Sequence, residues 1–132
     1  MKTLIVEDDF ISRKILKEIL APYGELDIAI DGEEAVKAFR MACDEGVGYD
    51  LICMDIMMPN MDGQESLKLI RSIEKERGIH EGNEVKVVMI SALGDPKTVV
   101  EAFYRGGATS YLVKPIGKQK LLSELRNFGL IR

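Results

Sequence analysis

Apolar residues along this chain fall into short dense runs, separated by longer stretches in which they recur every three or four positions. The dense runs have the pattern of strands buried on both faces, and the spaced ones that of amphipathic helices. Read this way, the chain holds five strand and helix pairs in strict alternation. Thr3 to Val6 forms the first strand, and the first helix sets Ile11, Ile15, Leu16, Ile19 and Leu20 on one face before Pro22 and Gly24 stop it. The second strand spans Leu26 to Ile30. Asp31-Gly32-Glu33-Glu34 then makes a turn and an acidic first turn for the second helix, whose Val36, Phe39 and Cys43 repeat at helical spacing until Gly46 and Gly48. Leu51 to Met54, apolar throughout, is the third strand. The third helix follows Pro59 and Gly63 and carries Leu67, Ile70 and Ile73, and the polar stretch Glu74 to Glu84 reads as a long loop. Val85 to Ile90 is the fourth strand. Asp95-Pro96 caps the fourth helix, because Asp accepts amide hydrogens and Pro is tolerated at the first helical position. Val99, Val100 and Phe103 are that helix's expected buried stripe. Thr109 to Val113 and a helix bearing Leu121, Leu122, Leu125 and Phe128 complete the pattern.

Alternating elements of this kind connect by right-handed crossovers into a parallel sheet with helices on both faces, so the predicted fold is α/β, a three-layer sandwich. Composition narrows the picture. At 132 residues and 46% hydrophobic content the chain can bury one sizeable core, which predicts a single domain over 1–132 with no output domain. Eighteen basic against 22 acidic residues leave a net charge of −4, which gives no general drive toward nucleic acid or a membrane surface. The N-terminal apolar run is short and ends in acids, unlike a secretory signal or a membrane span, so the expected location is cytoplasmic. Cys43 and Cys53 belong to no CxxC pair or Cys/His cluster and read as reduced core thiols.

In open α/β sheets the binding crevice lies outside the carboxyl ends of the strands. There the chain presents Glu7-Asp8-Asp9 after strand one, Asp55 after strand three, Ser91-Ala92 after strand four and Lys114-Pro115 after strand five. Singly, each has an ordinary reading: acids after a strand cap helices, and Lys-Pro makes turns. Together, carboxylates gathered on one edge repel one another unless a divalent cation holds them, and Mg²⁺ prefers such hard oxygen ligands. Asp8 and Asp55 are the candidate direct ligands, with Glu7 acting through water. Asp55 can also attack phosphorus to form an acyl phosphate, with Lys114 and the Ser91 hydroxyl positioned to meet phosphoryl oxygens. His80, the only histidine, sits in the polar stretch and reads as solvated; Met57, Met58 and Met61 lack the Cys or His that a soft-metal site needs.

These motifs resemble those of the receiver domain of two-component response regulators, most closely the single-domain type represented by the chemotaxis regulator. The matching residues are Leu4-Ile5-Val6-Glu7-Asp8-Asp9 with Arg13 downstream, Met54-Asp55-Ile56-Met57-Met58-Pro59 leading to Asp62-Gly63, Ile90-Ser91-Ala92 and Tyr111-Leu112-Val113-Lys114-Pro115. The resemblance implies a flavodoxin-like, doubly wound five-stranded parallel sheet in the order 2-1-3-4-5. It implies that Glu7 and Asp8 are the acidic pair and Asp8 the direct Mg²⁺ ligand, with the Met57 main-chain carbonyl as a third protein ligand. Asp55 becomes the phosphoacceptor, Ser91 and Tyr111 the switch pair and Lys114 the phosphate contact. The implied partners are a sensor histidine kinase or histidine phosphotransfer protein and a downstream protein target. Two rival readings fail on residues. An aspartyl-phosphate phosphatase resembles a pattern with a second Asp two positions after its nucleophile, where this chain has Met57, and a flavin carrier needs a phosphate loop where this chain has three acids.

Overall fold

The structure, a computed structural model, describes residues 1–132. Five parallel strands, β1 (Lys2–Val6), β2 (Glu25–Ala29), β3 (Leu51–Met54), β4 (Lys86–Ser91) and β5 (Ser110–Val113), lie in the order β2-β1-β3-β4-β5. Between and after them run α1 (Phe10–Leu20), α2 (Gly32–Asp44), α3 (Gly63–Glu76), α4 (Pro96–Val100) and α5 (Lys118–Asn127). This is the three-layer sandwich expected from the residue pattern, with the flavodoxin-like strand order that the resemblance implies. Successive strand residues alternate between two apolar layers. Leu4, Val6, Ile52, Met54, Val87 and Met89 pack with Phe39 of α2 and Leu67, Ile70 and Ile73 of α3. Ile5, Leu51, Cys53, Val88, Ile90 and Leu112 pack with α1 and α5. Such burial, at roughly 2 kcal/mol for each fully enclosed large aliphatic side chain, makes the central strands the rigid part of the molecule.

Several elements depart from their sequence-level expectation. In α1 only Leu16, Ile19 and Leu20 are buried, while Ile11 is 61% and Ile15 38% exposed. The sheet covers an arc of the helix narrower than its apolar positions. In α4 the expected stripe faces outward: Val100 is 52% and Phe103 38% exposed, Val99 is only half-buried, and α4 buries no residue. The helix starts as expected, with Asp95 accepting from the Thr98 N–H and Pro96 in the first turn. It then widens into a π-helical turn, Glu101–Arg105, which turns Ala102 rather than Phe103 into the core. π-turns of this kind are rare and occur mostly as single turns within α-helices, frequently at functional sites.

The stretch expected as a loop from Glu74 to Glu84 begins with a buried helical residue. Glu74 lies in the last turn of α3, 1% exposed. Its carboxylate accepts from Arg71 Nη1 at 2.7 Å and from the Val85 N–H at 2.7 Å, and Arg71 also donates to the carbonyls of Val85 and Gly107. A polar residue that looked like loop therefore ties α3 to the entries of β4 and β5. Replacing Glu74 with Ala leaves the buried Val85 N–H unpartnered and takes the carboxylate away from the half-buried Arg71 guanidinium, which keeps only its carbonyl partners. Urea unfolding of Glu74→Ala is expected to show a loss of about 3 kcal/mol, against less than about 0.5 kcal/mol for the exposed Glu81→Ala.

Candidate functional site

The strand order reverses direction between β1 and β3, and a crevice opens outside the carboxyl ends of strands at such a point. The two strands run in register, Val6 beside Met54, so the residues that follow them leave the sheet side by side. The Glu7 N–H donates to the Ala29 carbonyl and the Asp55 N–H to the Val6 carbonyl, both at 3.0 Å, which extends the ladder through the two acids. Asp9 leaves the cluster to cap α1, accepting from the Ser12 N–H at 2.8 Å. One turn into that helix, Arg13 Nη1 donates back to the carbonyls of Glu7 at 3.0 Å and Asp8 at 3.4 Å. The guanidinium thus fixes the backbone that carries the acidic pair. Arg13 stood in the sequence motif without a task, and its position one helical turn after the cap was the only signal of this one.

Carboxylate oxygens of Glu7, Asp8 and Asp55 lie within 4.8 Å of one another, with Glu7 and Asp55 buried and Asp8 exposed. Lys114, at the exit of β5, reaches across to this group. Its Nζ donates to Glu7 Oε1 at 2.5 Å and to Asp55 Oδ2 at 3.3 Å, while the Ile56 N–H donates to Asp55 Oδ1 at 2.7 Å. Burial pushes the Glu7 carboxyl up to about 7; the Lys114 hydrogen bond opposes that rise and the Asp55 charge adds to it. For Lys114, burial works against its charge, but the hydrogen bond from its ammonium to Glu7 and the Asp55 charge outweigh that and hold the ammonium above its usual range. One cation set against three carboxylates leaves the cluster electron-rich, and its all-oxygen donor set suits a hard divalent cation.

Ser91 ends β4 with its side chain buried, 1% exposed. Its hydroxyl accepts from the Leu93 N–H at 3.2 Å, and the Tyr111 hydroxyl donates to the Leu93 carbonyl. The two residues paired by the sequence motif therefore meet at one peptide segment of the β4–α4 loop. The Tyr111 ring is half-buried against the α2 and α3 layer. Met57 is 64% exposed and lines, with Asp8, Met58, Pro59 and Leu93, a cleft of about 590 Å³. His80 stays outside the acidic cluster, in the connection between α3 and β4. Cys43 and Cys53 are free thiols; Cys53 is fully buried, whereas Cys43 is only half-buried.

Residues 3–126 match the response regulator receiver domain family. The chain belongs to that family. Its acidic cluster fits the receiver's phosphorylation and Mg²⁺ site. Among curated relatives, the chemotaxis protein CheY of Treponema pallidum (strain Nichols) is 36% identical over 94% of this chain and 79% of its own length. Hybrid signal transduction histidine kinase I of Dictyostelium discoideum is 34% identical over 96% of this chain, which spans only 7% of that protein. The crystal structure of a CheX–CheY complex with BeF3 and magnesium from Borrelia burgdorferi superposes with a TM-score of 0.83 at 30% identity, over 100% of this chain and 90% of that one. No helix of the receiver is long and apolar enough to cross a membrane.

The raised Glu7 value carries a definite sign. Because it lies above the ordinary 4.5, the folded receiver holds a proton at Glu7 that the unfolded chain has released between pH about 4.5 and about 7. The contribution of this group to stability is full below about 4.5 and is lost as pH rises through about 7. In chelator-treated protein, the Glu7 side-chain carboxyl resonance is expected to titrate with a midpoint near 7, and Lys114→Met should move that midpoint upward. A midpoint near 4.5 would place the carboxylate in water rather than in the core.

Proposed function

We propose that this receiver is a phosphorylation-driven switch whose acceptor is Asp55, charged by a phosphohistidine on a sensor kinase or histidine phosphotransfer protein. One observation carries the reading: Asp55 sits within 4.8 Å of Glu7 and Asp8 on one side and within reach of the Lys114 ammonium, at 3.3 Å, on the other. Asp8, Asp55 and the Met57 main-chain carbonyl are the ligands that would hold Mg²⁺, with Glu7 acting through water. When bound, that ion supplies positive charge to the phosphoryl oxygens and relieves repulsion among the carboxylates. The covalent step belongs to Asp55. One of its oxygens forms a bond to phosphorus while the donor's P–N bond breaks, and the electron pair leaves with the imidazole. The Ile56 N–H holds the carboxylate plane during this exchange. Lys114 moves from Asp55 Oδ2 to a phosphoryl oxygen, still anchored by Glu7. The same residues, with water as nucleophile, return Asp55 to its free form, so the chain catalyses both its own phosphorylation and its dephosphorylation.

Readout follows from Ser91 and Tyr111. A new phosphoryl oxygen accepts the Ser91 hydroxyl hydrogen, which draws Ser91 away from the Leu93 N–H. The β4–α4 loop moves with it, and the Tyr111 ring settles inward. Its half-buried position here fits a two-state balance in which the phosphoryl group shifts populations that already exist. The face that changes is built from α4, β5 and α5. It exposes Val100, Phe103, Tyr104 at 86% and Val113, apolar side chains that suit a protein target. Residues 1–132 act as one receiver domain in the cytoplasm, a reducing setting that fits the free thiols.

Incubation with acetyl phosphate and Mg²⁺ is expected to add one labile phosphoryl group, detected by intact mass. Asp55→Asn should abolish the gain and chelation should slow it; phosphorylation of that variant at the wild-type rate would move the acceptor elsewhere. For readout, beryllofluoride should shift amide resonances from Asp55 out to Tyr111 and Val99 to Phe103 in the wild type. In Ser91→Ala the shifts should stay near Asp55, and equally far-reaching shifts in both proteins would remove the Ser91 hydroxyl from the relay.

A further inference from the structure

The β3–α3 loop, which carries Met57, is tied at its tip to the turn between β2 and α2. Asn60 Nδ2 donates to Asp31 Oδ2 at 2.8 Å. The Gly32 N–H donates to the Met61 carbonyl at 3.0 Å, and Ser66 Oγ returns a hydrogen bond to the Gly32 carbonyl at 3.0 Å. Asn60 holds a left-handed backbone, φ 66°, which costs little only for Gly, Asn and Asp. The approach is close enough that a Cβ on Gly32 would lie 2.5 Å from the Met61 carbonyl oxygen. Asp31 is 6% exposed, and its other oxygen, Oδ1, caps α2 through the Glu34 N–H at 2.9 Å. Removing the Asn60 amide therefore leaves a buried carboxylate oxygen without its partner. At the base of the loop, the Gly63 N–H donates to the Ile56 carbonyl at 2.8 Å. Between these two fastenings lie Met57 and Met58, which share the cleft with Asp8.

We propose that Asp31 and Asn60 are positioning residues for the phosphorylation site: their hydrogen bond holds the 57–62 loop so that the Met57 carbonyl stays in place for the cation. The link rests on the reading of Asp8, Asp55 and Met57 as ligands. It acts on a main-chain ligand, which no side-chain rotamer can rescue and only the path of the backbone can place. Neither residue touches the reacting atoms. Asp31 lies outside the acidic cluster and acts only through Asn60.

The test uses substitutions that separate this bond from charge and from backbone strain. Asn60→Gly keeps the left-handed backbone, changes no charge and deletes the donor. Asp31→Asn keeps an oxygen for the Glu34 cap but sets an amide against the Asn60 amide. The double exchange Asp31→Asn/Asn60→Asp restores one donor facing one acceptor with the net charge unchanged. Calorimetric Mg²⁺ titration is expected to show about tenfold weaker binding in each single variant and recovery to within about twofold in the exchange. In chelated protein, amide hydrogen exchange at residues 57–63 should quicken in the single variants and return to the wild-type rate in the exchange, with α5 unchanged throughout. Wild-type Mg²⁺ affinity in Asn60→Gly, or a double exchange no better than the single variants, overturns the positioning role. Failure of the wild type itself to bind Mg²⁺, with Asp8→Ala indistinguishable from it, instead overturns the ligand assignment and leaves the exchange rates to judge the loop.

Discussion

Lys114 reaches from β5 to Glu7 and Asp55, the residues that follow β1 and β3, and one ammonium is set against two buried carboxylates. Without it, Glu7 and Asp55 would face each other at the edge of an apolar sheet, where neither charge is well solvated. With it, the pair is only partly compensated, and the burial that raises the Glu7 carboxyl shows how much of the cost remains. The remaining negative charge is what makes the site receptive to a cation. The same arrangement suits Asp55 to the acceptor role proposed for it: its carboxylate accepts from the Ile56 N–H and lies within reach of the Lys114 ammonium. The rest of the fold serves to bring three non-neighbouring segments to that point and keep them there.

Rigidity is distributed to suit that task. β1, β3 and β4 are almost fully buried, and the acids leave the sheet on continued ladder bonds rather than on free loops. Arg13 holds the carbonyls of the first acidic segment, and Asn60 with Asp31 holds the tip of the second. α4 is the contrary case. It buries nothing in its first turns, carries a π-helical turn and leaves apolar side chains in solvent, which suits the readout movement proposed for this face. The Arg71 and Glu74 pair anchors the chain at the far end of β4 and β5, away from the acids. Motion near Leu93 can therefore occur without loosening the entry of either strand.

The five strands, the cap at Asp95 and the meeting of Glu7, Asp8, Asp55 and Lys114 at one edge of the sheet were legible in the chain because local rules place them. Dense apolar runs specify strands buried on two sides, and residues just past a strand end at one edge of the sheet whatever lies between them. What sequence alone misread were residues whose environment is set by distant partners. Glu74 looks like loop because a carboxylate is ordinarily solvated; Arg71 and the Val85 N–H, which meet it only when α3 packs beside β4, make burial tolerable. Val100, Phe103, Ile11 and Ile15 look like core because they are apolar at helical spacing, yet how much of a helix is covered depends on the width of the sheet beneath it. The assignments of Arg13 and Asn60 were likewise invisible, since each acts on a carbonyl or carboxylate brought near by the crossover. By itself, then, the sequence determined the alternation of elements, the parallel sheet and which chemical groups gather at its carboxyl edge. Only the tertiary structure decided the charge balance among those groups, the holding of their backbones and the exposure of α4, because these depend on distances between segments that periodicity does not encode.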